Sequence, residues 1–135
     1  MTKNIDQKRA SFALNKLKEV DSEEKANVLK TQSAKFIALI HNSGFLQALD
    51  FAQSKFKPTY DFLREWLAEG EEEIGPGISE EVRVAAAGDH LNNKLAELDN
   101  INEYRRIMQE AVAYLGWLKS KAEGRKMEIQ CNTQD

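Results

Sequence analysis

The segment YRRIMQEAVAYLGWLKSKAEG, from Tyr104 to Gly124, repeats apolar residues at intervals of three and four positions. This is the spacing of one face of an α-helix. Similar spacing runs through most of the 135 residues, which contain only two prolines and no clear alternating strand pattern. The sequence therefore predicts an all-α protein. The stripe in this segment consists of Tyr104, Ile107, Met108, Ala111, Leu115, Leu118 and Ala122.

Capping residues and breaks divide the chain into a single-domain bundle of five to six helices. The first predicted helix runs from Asn4 to Val20, and the second from a capping box at Asp21 to about Gly44. The third runs from Phe45 to just before Pro58, and the fourth from Tyr60 to Gly70. The fifth carries the stripe Val84, Ala87, Leu91, Leu95 and Leu98, and the sixth runs from Tyr104 to Gly124. The acidic segment EGEEEIGPGISEE is expected to be a solvated loop. Residues 1–124 form the helical domain, and residues 125–135 are expected to be a loose polar tail.

The sequence offers little chemistry for catalysis. Its two histidines, His41 and His90, have no metal-binding partner at helical spacing, and Cys131 is the only cysteine. No phosphate-binding loop or nucleophile elbow is present. We therefore predict no enzymatic activity, no metal site and no cofactor. A polar start and a longest apolar run of only Ala111–Leu118 predict a cytoplasmic protein with no membrane partner.

Two helices carry aromatic residues among cations on the side opposite their predicted core stripe. In the last helix, Trp117 is expected to lie outward with Arg106, Glu110, Ala113 and Lys121. In the first helix, Lys8, Arg9, Phe12 and Lys16 lie opposite Ala10, Leu14 and Leu17, which are expected to be buried with Ala13. Such a face suits contact with the phosphates and bases of a nucleic acid or a protein interface, and packing inside the bundle is an alternative for both aromatics. The candidate interface residues are Phe12, Arg106, Ala113 and Trp117.

Three segments resemble the small α-helical subunit of the type III-B CRISPR RNA-targeting complex, called the Cmr complex. They are QKRASFA (Gln7–Ala13), LIHNSGFLQALDFAQSK (Leu39–Lys55) and EYRRIMQEAVAYLGWLKSKAEG (Glu103–Gly124), together about a third of the chain. The chain departs from the family pattern at an inserted Ser43 and at Phe45, where leucine is usual. No motif in these segments is catalytic, so the resemblance depends on their joint occurrence and order.

The resemblance implies a non-catalytic subunit of an antiviral effector complex. Copies of such a subunit stack into a filament beside backbone subunits that hold CRISPR RNA, and the two filaments form the groove in which target RNA pairs. The implied partners are other Cmr subunits, further copies of this chain, and the CRISPR RNA and target RNA. The alternative is a stand-alone helical protein-interaction or regulatory module with no nucleic-acid role.

An overall net charge of −3 does not exclude RNA, because a protein of this charge can present a basic face. If the chain lines an RNA groove, outward cations should contact the phosphates. The candidates are Arg9, Lys16, Lys35, Lys55, Lys119, Lys121 and Arg125. Reversing the charge of Lys16 and Lys121 together is predicted to leave folding intact and to weaken RNA binding.

Overall fold

The computed structural model describes residues 4–70 and 78–133, and these residues form seven α-helices and no β-strand. The helices are α1 (Ile5–Leu17), α2 (Glu23–Ser43), α3 (Phe45–Lys55), α4 (Lys57–Glu69), α5 (Glu80–Ala87), α6 (Leu91–Glu97) and α7 (Ile101–Thr133). The all-α prediction is confirmed, and the predicted count of five to six helices is too low. Residues 71–77 of the predicted acidic loop lie outside the described residues, but Glu69 is the last residue of α4 and Glu80 and Glu81 begin α5, so the loop is shorter than predicted.

The long helices α2 and α7 pack against each other in antiparallel directions along most of the length of α2. Three side-chain pairs set their register: Glu23 with Gln130, Asn27 with Lys126, and Lys30 with Glu123. The predicted stripe of α2 is largely confirmed, since Ala26, Leu29, Ser33, Phe36 and Ile40 are buried. The N-cap of α2 is Ser22, whose hydroxyl accepts from the Lys25 N–H at 3.1 Å, one residue later than predicted.

The helices α3 and α4 follow α2 through two tight junctions. Gly44 joins α2 to α3 with a φ of 93° and a ψ of 160°, a conformation that essentially only glycine adopts. Pro58 lies at the start of α4, where its missing N–H costs no helical hydrogen bond. The predicted inward residues of both helices are buried, namely Phe45, Leu49, Ala52, Phe56, Tyr60, Leu63, Trp66 and Leu67.

The predicted fifth helix is two helices separated by a break at Gly88–His90. Asp89 has a φ of 66°, and the Arg64 guanidinium donates to the carbonyl of Ala86 at 2.6 Å, which satisfies a free acceptor at the end of α5. Val84, predicted to be buried, is 64% exposed. The prediction of one continuous stripe is therefore wrong before the break, although Leu91 and Leu95 beyond it are buried.

The final helix was predicted to end at Gly124. In the structure it continues to Thr133. Contacts with the beginning of the bundle hold these last turns. Arg125 Nε donates to the backbone oxygen of Val20 at 3.0 Å, and Lys126 and Gln130 bond to α2. The expected loose tail is thus helical through residue 133, and residues 134 and 135 lie outside the described part of the chain.

The first helix is rotated relative to the prediction. Ala13 and Leu17 are fully buried as expected, but Leu14 is 43% exposed. Phe12, expected to lie outward, packs instead against the core. This rotation turns the face that carries Arg9 and Phe12 toward α4 and α7, and it decides which of the predicted site residues remain available at the surface.

Candidate nucleic-acid interface

A buried carboxylate at the crossing of α1, α4 and α7 organises one side of the bundle. Glu110 has no exposed surface, and each of its two carboxylate oxygens accepts two hydrogen bonds. Arg9 donates from Nε at 2.6 Å and from Nη2 at 2.8 Å, Arg106 donates from Nη1 at 3.0 Å, and Trp66 donates from Nε1 at 3.0 Å. The charge of Glu110 is therefore satisfied entirely by its neighbours.

These contacts keep the pair of Arg9 and Glu110 ionised. Burial opposes the charge of Glu110, but the hydrogen bonds from Arg9, Arg106 and Trp66 outweigh it and lower the pKa of Glu110. The bond to Glu110 in turn raises the pKa of Arg9 against the effect of its own burial. The expectation that Arg9 and Glu110 face outward is wrong, because each is the other's main partner inside the bundle.

An aromatic cluster adjoins this carboxylate. The Phe12 ring meets the edge of Trp66 with centroids 5.0 Å apart, and Trp66 stacks on Tyr114 at 5.4 Å with ring planes 8° apart. Trp66 and Tyr114 are fully buried. Phe12 is partly buried on top of them, so its expected position on the outer face of α1 is wrong and its structural role is core packing.

The other candidate interface residues lie on α7 and are partly buried. Trp117 donates from Nε1 to Asp6 at 3.3 Å, and Lys121 lies over its ring at 5.9 Å from the centroid. Trp117 thus connects α7 to the start of α1. Ala113 lines a shallow groove between α2 and α7, and Arg106 bonds to Glu110. All three residues of α7 keep part of their surface, and the Arg106 side chain remains 31% exposed.

Several candidate RNA-binding cations are held in contacts within the protein. Lys16 forms ion pairs with Glu65 and Glu69, each at 3.2 Å. Arg125 bonds to the Val20 carbonyl and pairs with Glu128 at 3.0 Å. Lys16 and Arg125 are therefore partly neutralised, as is Arg9.

Three other candidates are free of such contacts. Lys35 on α2, Lys55 at the end of α3 and Lys119 on α7 are exposed. Among the residues that the structure describes, none of these three lysines forms an ion pair or a side-chain hydrogen bond. An unpaired exposed ammonium can approach a phosphate without first breaking an existing bond.

Lys35 and Lys55 lie on the same surface. The Phe36 and Phe56 rings, which follow them in sequence, have centroids 6.5 Å apart, so α2 and α3 pack side by side at this level. We define the α2–α3 face by two rows of residues at helical spacing. The rows are Lys35, Leu39 and Asn42 on α2, and Gln47, Phe51 and Lys55 on α3.

The α2–α3 face contains no carboxylate. No Asp or Glu occurs in α2 from Thr31 to its end, and the only one in α3 is Asp50. The Asp50 carboxylate accepts from the buried Asn92 side chain at 2.9 Å, which places it on the side of α3 toward α6. The face is therefore locally basic on a protein whose net charge is −3.

Lys119 lies on the opposite flank of α2. It is one turn before Glu123, which pairs with Lys30, so it belongs to the row of α7 that borders α2 near Ala34. The outer surface of α2 is thus bordered by Lys119 on one side and by Lys55 on the other, with Lys35 on α2 itself.

Phe51 is the aromatic residue of this surface, and the site prediction did not include it. The residue is 45% exposed, which is unusual for phenylalanine, and it lies one turn from both Gln47 and Lys55. In the sequence, Phe51 lies one residue outside the predicted buried stripe of α3. This position could have indicated an exposed ring, but only the structure shows that this side of α3 faces solvent.

Residues 4–70 and 78–133 contain neither a metal-binding cluster nor a helix that could span a membrane. The described residues contain no group of three or more His, Cys, Asp or Glu side chains that could hold a metal ion. Within the same residues, no helix has the length and apolar character that crossing a bilayer requires.

Residues 5–125 match the family described as CRISPR-associated protein (Cas_Cmr5). The chain belongs to this family. The resemblance read from three sequence segments is confirmed, and the matched residues span α1 to most of α7, including the whole α2–α3 face. No curated protein and no solved structure matched the chain.

Proposed function

We propose that this chain is a non-catalytic subunit of a type III-B Cmr effector complex and that it acts in the cytoplasm. In this role its copies stack along the backbone subunits and help to form the groove for guide and target RNA. Membership of the Cmr5 family supports the assignment to the complex. The observation that carries the RNA role is the carboxylate-free α2–α3 face with its unpaired lysines Lys35 and Lys55, to which Lys119 adds a third unpaired lysine on the other flank of α2.

The RNA contacts in this proposal come from the α2–α3 face together with Lys119. Unpaired lysines bind phosphate through charge and release the counterions of the nucleic acid. Arg9 makes no RNA contact in this proposal. If its guanidinium moved away to a phosphate, the buried carboxylate of Glu110 would lose its main charged partner. Lys16 and Arg125 serve mainly to join helices.

The protein contacts come from the outer side of α7, around Ala113, Gly116 and Trp117. A Cβ atom at Gly116 would meet no side chain beyond its chain neighbours and no other helix within 4 Å, so the surface there is open to a close neighbour. The partly exposed Trp117 supplies apolar area beside it. These features support docking of a second copy or of a backbone subunit on this side.

Charge reversal on the α2–α3 face tests the RNA role. The variant Lys35→Glu with Lys55→Glu should weaken binding of single-stranded RNA by the full chain. Its log Kd should depend less steeply on log salt, by about 0.7 for each lost phosphate contact. The matched control is Lys8→Glu on α1 with Lys18→Glu at the C-cap of α1, which makes the same change in net charge on another surface.

The control variant should retain the wild-type salt dependence. If both variants weaken RNA binding equally, net charge and not the α2–α3 face determines the affinity, and the assignment of this face is wrong. If the Lys35/Lys55 variant binds RNA normally but no longer joins the other Cmr subunits, the face is a protein interface.

A nuclease assay tests the non-catalytic part of the proposal. Pure chain incubated with single-stranded RNA and a divalent metal should leave the RNA intact. Cleavage that co-purifies with the chain and is lost on substitution of one of its own carboxylates would overturn this part.

A further inference from the structure

Phe51 lies at the centre of the α2–α3 face and is unusually exposed for its residue type. Nearly half of the residue's accessible surface, 45%, is open to solvent. Gln47 and Lys55 lie one turn to either side of it on α3, and both are exposed. An aromatic ring thus lies between an amide and an ammonium group on one ridge.

The ring is supported from below. Its centroid is 5.3 Å from that of the buried Phe56, with the two planes inclined by 74°, and Phe56 in turn meets Phe36. This edge-to-face contact holds one side of the Phe51 ring against the core while the remaining surface faces outward. A ring held in this way needs little ordering when a ligand stacks on it.

We propose that Phe51 is a stacking platform for an unpaired base of single-stranded RNA. The inference rests on the proposed function, since it requires RNA on the α2–α3 face. A base stacks on the phenyl ring while Lys55 and Lys35 bind the flanking phosphates. Aromatic stacking combined with cations along the backbone is the general way in which proteins hold single strands without reading their sequence.

The charges around the ring favour a nucleotide over an apolar protein segment. The nearest ionic groups on both rows of the face are lysines without partners among the described residues, and Asp50 is bonded to Asn92 on the other side of α3. An apolar protein segment on this face would leave the ammonium groups of Lys35 and Lys55 without a partner of opposite charge. A phosphodiester strand supplies the opposite charge at both.

Three substitutions separate stacking from simple apolar contact. Phe51→Ala should weaken binding of a short single-stranded oligouridylate by about tenfold, the usual size for one lost stacking contact. Phe51→Leu retains most of the apolar area but no aromatic face, so it should bind as weakly as Phe51→Ala. Phe51→Trp should bind at least as tightly as wild type, and the stacked base should quench the fluorescence of the new indole.

An oligonucleotide of the same length and charge, but with abasic sugars, serves as the second probe. Wild type and Phe51→Ala should bind it equally, because only the phosphate contacts remain. Val84→Ala, at a 64% exposed position on α5, is the matched control and should leave both affinities unchanged. Melting temperatures of all variants show that each one folds.

The outcomes separate this inference from the proposed function. Tight binding by Phe51→Leu, or an effect of Phe51→Ala that is equal for the abasic probe, overturns the stacking role. If Lys35→Glu with Lys55→Glu still weakens binding in that case, the RNA role of the face stands without it. A wild-type chain that binds neither probe at low salt contradicts both proposals.

Discussion

Arg9 and Glu110, 101 positions apart in the sequence, form a bidentate ion pair inside the bundle. The Arg9 guanidinium donates to both carboxylate oxygens, at 2.6 Å and 2.8 Å, and Glu110 is fully buried. The pair fixes the rotation of α1 against α7, because any other rotation would leave Glu110 without its main charged partner. It also removes Arg9 from the surface available to RNA.

The first prediction concerns the stability of this pair. Glu110→Gln removes the charge opposite Arg9 and should lower the free energy of unfolding by about 3 kcal/mol. Urea denaturation of the purified chain measures it. Glu128→Gln is the control, since this exposed carboxylate on the same helix pairs only with Arg125 in the described contacts and should cost less than about 1 kcal/mol. Equal losses for the two variants would contradict the central role of Glu110.

The second prediction is a pH dependence. The folded protein lowers the pKa of Glu110 below its ordinary value of 4.5, so the unfolded chain takes up this proton first as the solution is acidified. The stabilisation from Glu110 is therefore complete above pH 4.5 and is lost as the pH falls through the folded pKa. The difference in unfolding free energy between wild type and Glu110→Gln should shrink below pH 4.5. A difference that is constant with pH would show that Glu110 is not ionised in the fold.

The third prediction compares two glycines. Gly44→Ala forces a side chain into a φ of 93° and should cost about 1–3 kcal/mol of stability. Gly116→Ala, in the middle of α7 with open space around it, should instead raise stability by about 0.5–1 kcal/mol. Thermal unfolding measures both. A neutral Gly44→Ala would mean that the turn between α2 and α3 relaxes easily.

The fourth prediction revises the expectation for Lys16. Because Lys16 lies 3.2 Å from both Glu65 and Glu69, Lys16→Glu replaces two attractions by two repulsions. We expect a loss of about 1 kcal/mol, which high salt should reduce. Lys121→Glu alone, which removes only a contact with the Trp117 ring, should change stability by less than about 0.5 kcal/mol. Denaturant midpoints at two salt concentrations test both variants.

The helices with one apolar face were predicted well. In α2, α3 and α4 the buried residues follow a single stripe, and the breaks at Gly44 and Pro58 are local events. Helical period and turn chemistry depend on neighbouring residues only. The all-α class, the core of these three helices and the membership of the Cmr5 family could therefore be read without coordinates.

Which candidate site residues lie at the surface depended on contacts between distant residues. Periodicity treats every charged residue as outward, so it could not anticipate that Arg9 and Glu110 satisfy each other inside the bundle. It could not separate Lys16, which has two carboxylate partners on α4, from Lys35, which has none among the described residues. The amino-acid sequence determined which helices form and which family they belong to. Tertiary packing decided which of their cations and aromatic rings reach solvent, because burial and ion pairing are set by residues far apart along the chain.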